Sequence, residues 1–125
     1  MKTFFGTGAR RRFRRERRGL SLLAGAGVPT PRTVAEGRFD QGWWLAVEWV
    51  HGRAANPGDG DAIVVLNAAL HAAAVRQNDP HLGNFVVVGD RVFMIDGDGV
   101  ARGGSFLGGG GGGRRGAAAP PRRPR

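Results

Sequence analysis

Asp79, Asn84, Asp96 and Asp98 fall within residues 75–100, VRQNDPHLGNFVVVGDRVFMIDGDGV, in a chain otherwise dominated by Arg, Ala and Gly. Carboxylate and amide oxygens of this kind suit Mg²⁺, which keeps several waters and is usually held by one or two carboxylates together with substrate phosphates. A carboxylate left over beside such a cation can accept a proton from a substrate hydroxyl. That inventory matches phosphoryl transfer, where catalysis is mostly positioning and neutralisation of charge. Taken alone, Asp79 and Asn84 read as turn and cap residues, because both side chains readily bond local backbone. Asp96 and Asp98 around Gly97 read as a plain hairpin exit. Only convergence of the set in space favours the chemical reading.

Convergence depends on the flanking elements. FVVV-GD-RVFMI predicts a β-hairpin turning at Gly89-Asp90, although Gly-Asp is a weaker hairpin signal than Asn-Gly. Folding back brings the loop before the hairpin and the IDGD after it to one end, so Asp79, Asn84 and Asp96 would share a small volume. Upstream, AIVVLNAALHAAAVRQ predicts a helix with Ile63, Leu66, Leu70 and Ala74 as its apolar stripe, capped by Asp59 or Asp61. Residues 32–36 and 43–50 (WWLAVEWV) read as strands about a polar turn, with Trp43, Trp44 and Trp49 as strand packing. Residues 9–25 predict a helix on which Phe13, Glu16, Leu20 and Leu23 share one face and the arginines cover the remainder. MKTFF reads as a short strand.

The charge is unevenly placed. Residues 1–18 carry +7, residues 19–102 carry −3, and residues 103–125 carry +5, for a net +9. Lys2 is the sole lysine among 19 basic residues, and the abundance of Arg, Ala, Gly and Pro is what GC-rich coding produces. The absence of cysteine excludes disulfides, thiolate metal sites and a Cys nucleophile. No apolar run approaches the roughly 20 residues of a membrane span, and no signal peptide is evident. A cytoplasmic protein is expected. From Gly103 onward the chain is a Gly/Arg/Pro-rich tail that is expected to be disordered.

NDPHLGNF followed by MIDGD resembles the catalytic and metal-binding loops of the protein-kinase-like fold, whose catalytic Asp precedes an Asn by five residues. The local form Q-N-D-x-H-L-x-N-F is most similar to the lipopolysaccharide kinases, which phosphorylate 3-deoxy-manno-octulosonic acid (Kdo) or heptose in the lipopolysaccharide inner core. The likeness covers about residues 1–100. It implies an incomplete α+β kinase-like domain over 1–102, with part of the N-lobe and hinge in 1–50 and the start of the C-lobe in 51–102. It also implies ATP and Mg²⁺ as cofactors. Asp79 would orient or deprotonate the sugar hydroxyl, and Asn84 and Asp96 would hold Mg²⁺, with Asp98 a further metal ligand. Lys2, paired with Glu16, would steady the α- and β-phosphates, and backbone groups from Glu48 to Val50 would bond adenine. Gln77 stands where the family's catalytic loop has His, and Gly97 where D-F-G has Phe.

A glycine-rich phosphate-covering loop and a substrate lobe have no counterpart here. The resemblance therefore implies a member truncated at both ends, with residues 103–125 out of frame and activity weak or lost. The Arg-rich helix would suit peripheral contact with an anionic inner-membrane surface. The competing function is a small basic nucleic-acid-binding protein, for which RRRFRRERR and the tail supply phosphate-neutralising charge. No zinc finger or RNA-recognition signature accompanies those charges. His51 and His71 carry no signal, and His81 reads as a loop residue.

Overall fold

Phe13, Glu16, Leu20 and Leu23 are buried on helix α1 (Ala9–Gly25), while its arginines face solvent. Their spacing of three, four and three residues places them on one side of a 3.6-residue turn, so a single face can be withdrawn from water. The surface they meet is an antiparallel sheet of β1 (Lys2–Phe5), β3 (Gly42–Val47) and β2 (Thr33–Phe39), in the order β1-β3-β2. Lys2 stands opposite Leu45, and Phe4 opposite Trp43. Phe13 stacks on Trp43 with ring centroids 4.9 Å apart and meets Phe4 edge-on at 5.9 Å. The structure, a computed structural model, describes residues 1–103. The expected tail beyond Gly103 lies outside the described residues.

A second antiparallel sheet follows, with β4 (Arg53–Ala54), β6 (Phe85–Val88) and β7 (Arg91–Met94) in the order β4-β6-β7. The β6–β7 hairpin turns at Gly89-Asp90 as the sequence indicates, and Gly89 has φ 63°, a left-handed conformation that glycine adopts without steric cost. Phe85, Val87, Val92 and Met94 are buried, and they join Leu20, Leu23, Leu45, Leu66 and Leu70 in one core. The extended segment VPTP is tied to β7, where Met94 N–H donates to Pro29 O (3.0 Å) and Thr30 Oγ1 donates to Met94 O (2.8 Å).

Three local expectations are corrected. The second helix, α2 (Gly60–Ala72), ends before the predicted stripe is complete. Ala74 takes φ 55°, and residues 75–77 form β5 (Val75–Gln77), paired antiparallel with β8 (Val100–Arg102). An available partner strand, and burial of the β-branched Val75, outweigh local helix propensity there. Asp59 does not bond the start of α2 through its side chain. It accepts from Asn56 N–H (2.9 Å) and from the Arg53 guanidinium (2.8 Å), closing a capping box on the 3₁₀ turn Pro57–Asp59. Trp49 lies past the end of β3 and is 79% exposed, so it does not pack in a strand as Trp43 does. The chain is thus a mixed α+β structure. Among the described residues no helix is long and apolar enough to cross a membrane.

Candidate functional site

Lys2 opens β1 on the same side of the strand as Phe4, facing α1. Its Nζ donates to Glu16 Oε2 at 2.6 Å, to Asp96 Oδ1 at 2.9 Å and to the Ile95 carbonyl at 3.2 Å, which uses all three ammonium donors. Burial by itself lowers the Lys2 ammonium, but the hydrogen bonds and charges of Glu16 and Asp96 outweigh it and hold the group above its ordinary value.

Glu16 is buried at 5% exposure, where a lone carboxylate would be costly. It is satisfied from two directions. Besides Lys2, Gly97 N–H donates to Oε2 at 2.7 Å and Asp98 N–H donates to Oε1 at 3.1 Å. One side chain of α1 therefore anchors both the first strand and the loop after the hairpin.

That anchoring requires backbone to meet backbone. A Cβ on Gly19 would sit 1.8 Å from Gly97 O, and a Cβ on Gly97 would sit 2.3 Å from Glu16 O. Gly19 is a residue positioning this cluster that sequence reasoning missed. Its signal was present, since it lies three residues after Glu16, next to the apolar face of a helix that glycine disfavours.

The other half of the site hangs from the β6–β7 hairpin and the β5–β8 pair. Asn84 ends the 3₁₀ turn Leu82–Asn84 and is buried. Its Nδ2 donates to Asp79 O at 2.7 Å, and its own carbonyl accepts from Ile95 N–H at 2.9 Å, directly before Asp96. Gln77 pairs with Val100, Asn78 N–H donates to Gly99 O at 2.8 Å, and Asp79 N–H donates to Gln77 Oε1 at 2.9 Å. Asp79, Asn84 and Asp96 are thereby brought to one end of the hairpin. The Asp79 side chain is 77% exposed, with His81 Nε2 3.7 Å from Oδ2. Gln77 was noted only as a departure from a motif. Here its side chain braces the Asp79 backbone, while its buried Nε2 has no hydrogen-bond partner among the described residues.

Three expected residues stand outside this cluster. The Asp98 carboxylate accepts from Arg15 Nε at 2.8 Å, on the solvent side of α1. Glu48 pairs with Arg32 at 2.8 Å, and that hydrogen bond holds its carboxyl below the usual range. The Glu48 N–H is already used, donating to Arg32 O at 2.9 Å, and Val50 follows in irregular, half-buried chain.

Asp96 and Asn84 carry oxygen donors of the type that Mg²⁺ takes. Asp96 offers a carboxylate, and Asn84 offers the amide oxygen opposite its donating nitrogen, a sparse set that leaves positions for water and phosphate oxygens. Among the described residues no three His, Cys, Asp or Glu side chains group closely enough to cage a metal by themselves. No family model matches the chain, and no curated protein does.

Proposed function

We propose that this chain is an ATP-dependent phosphotransferase of the lipopolysaccharide core sugar kinase type, built on part of a protein-kinase-like fold. The observation that carries this reading is the Lys2–Glu16–Asp96 cluster. A strand lysine, a helix glutamate and an aspartate after a hairpin, up to 94 residues apart, meet within 2.6 and 2.9 Å. Supporting it, Asn84 bonds the Asp79 carbonyl and its own carbonyl accepts from Ile95 N–H, the residue before that aspartate.

In this reading Mg·ATP supplies the transferable phosphoryl group. Asn84 and Asp96 hold the cation. Lys2, steadied by Glu16, neutralises phosphate charge from a fixed position. Asp79, exposed and braced through its backbone by Gln77 and Asn84, accepts the proton of a Kdo or heptose hydroxyl. Glu48 and Val50 would border adenine, and a cytoplasmic site of action follows from the substrate pair.

The test is a thermal-shift series with Mg·ATP. A ligand at 100 times its Kd stabilises by about 2.7 kcal/mol, so a Mg-dependent rise in Tm is expected and should vanish in Asp96→Ala. Transfer of labelled γ-phosphate to a Kdo-terminated acceptor should then be lost in Asp79→Asn while nucleotide binding persists. A Tm indifferent to Mg·ATP sinks the reading.

A further inference from the structure

An open cleft of about 700 Å³ lies between the N-terminal end of α1 and the β2–β3 turn. Arg10, Arg11 and Arg14 line one side, and Arg38, Phe39 and Asp40 the other. It is separate from the Lys2 cluster. Lys2 and Phe5 are the two ends of β1, about 10 Å apart at strand rise, and the cleft is at the Phe5 end, where Phe5 pairs with Gly42.

The helix arginines divide into two groups. Arg15 pairs with Asp98, Arg17 pairs with Glu36, and Arg12 donates to the carbonyls of Phe5 and Thr7. Arg10, Arg11, Arg14 and Arg38 have no ion pair among the described residues, and the Arg38 guanidinium lies 5.3 Å from the centre of the Trp43 ring. Arg10 and Arg14 are four residues apart, so like charges stack on one face. Arg10 and Arg11 also sit in the first turn of α1, where the helix dipole repels cations. That turn has no acidic residue and no side-chain cap. By contrast α2 begins with Asp61 in its first turn. Four guanidiniums are therefore gathered around one concavity against their own repulsion, and a bound polyanion removes that repulsion.

We propose that this cleft binds clustered phosphate groups, either on a soluble polyphosphate or on a phosphomonoester lipid headgroup. Guanidinium forks match phosphate oxygens in bidentate geometry, and approach from both walls of the cleft favours a compact, multiply charged group over an extended flat surface. The proposal does not rest on the phosphotransferase assignment, since Lys2, Asp79, Asn84 and Asp96 do not line this cleft.

The test titrates the full chain with inorganic pyrophosphate at about 0.15 M ionic strength, where the Debye length is about 8 Å, in the presence of a chelator. Arg10→Ala/Arg14→Ala should weaken binding by about tenfold or more, as loss of two charge-assisted contacts implies. Arg76→Ala/Arg91→Ala removes the same charge from strands that do not line the cleft and should change affinity by less than about twofold, since exposed charges beyond the Debye length of about 8 Å are screened. The cleft variant should keep or raise its Tm, because it relieves repulsion at the helix start, so weaker binding there is not unfolding. Asp40→Asn should tighten binding. Co-sedimentation with phosphatidic acid vesicles, compared with phosphatidylcholine, separates the two sources. Cleft-dependent pyrophosphate binding assigns a soluble ligand, and cleft-dependent vesicle binding alone assigns a headgroup. Equal weakening in both double variants, or no binding to either probe, overturns the proposal.

Discussion

Glu16 and Asp79 are both carboxylates of the same candidate site. Glu16 is buried and takes three donors from two segments, whereas the Asp79 side chain is 77% exposed, with His81 Nε2 at 3.7 Å. The Glu16 half is architecture: its carboxylate joins β1, α1 and the loop after β7, so the fold must form for the charge to be tolerated. The Asp79 half is presentation, with backbone contacts to Gln77 and Asn84 holding a carboxylate that stays exposed. A site built this way can lose chemistry at one end without losing structure, and lose structure at the other before chemistry is reached.

The largest effect should come from Glu16→Ala, which takes one of three acceptors from the Lys2 ammonium and leaves the Gly97 and Asp98 N–H groups without theirs. A loss of about 3–5 kcal/mol is expected, measured by urea denaturation with the slope checked for two-state behaviour. A loss under about 1 kcal/mol, within the scatter of surface changes, would break the comparison. Gly19→Ala should cost about 3 kcal/mol, at the upper end for overpacking, because its Cβ meets the Gly97 carbonyl and not a movable side chain. Full stability in that variant would mean the α1–loop contact yields easily and does not fix the loop.

Asn84→Ala removes a part-buried hydrogen bond to Asp79 O and should cost about 1–2 kcal/mol. Faster amide exchange at residues 79–84 would sharpen the view that Asn84 holds the loop. The raised Lys2 value gives a signed pH dependence. Its folded pKa exceeds the ordinary 10.5, so its stabilisation is complete below that value and is lost as pH climbs through the folded one. Alkaline denaturation should show this loss, and Lys2→Met should abolish it. Asp79→Asn should shift stability by less than about 0.5 kcal/mol, yet abolish phosphoryl transfer if the proposed reaction is correct. A marked destabilisation there would assign Asp79 to the architecture instead.

Much of this was legible from local pattern. The face of α1 carrying Phe13, Glu16, Leu20 and Leu23, its span, and the hairpin with its Gly89-Asp90 turn all follow from periodicity and turn chemistry within a few residues. The end of α2 was not, because VRQ continues a helical pattern and becomes strand only through β8, some 25 residues on. Asp59 misled in the same way, its acceptor capacity being taken by Arg53 and Asn56 and not by α2.

The chain's own order of residues determined which side chains were available for the site: one lysine, one glutamate on an apolar helix face, and acids and an amide around a hairpin. Tertiary structure decided their partners. Asp96 and Asp98 are chemically alike and two positions apart, yet Asp96 receives Lys2 while Asp98 turns outward to Arg15. That choice is set by the close approach of Gly19 to Gly97, which fixes how the loop lies on α1. Residue type and helical period act over a few positions, but a contact across some 80 residues exists only once packed elements bring two surfaces to within van der Waals distance.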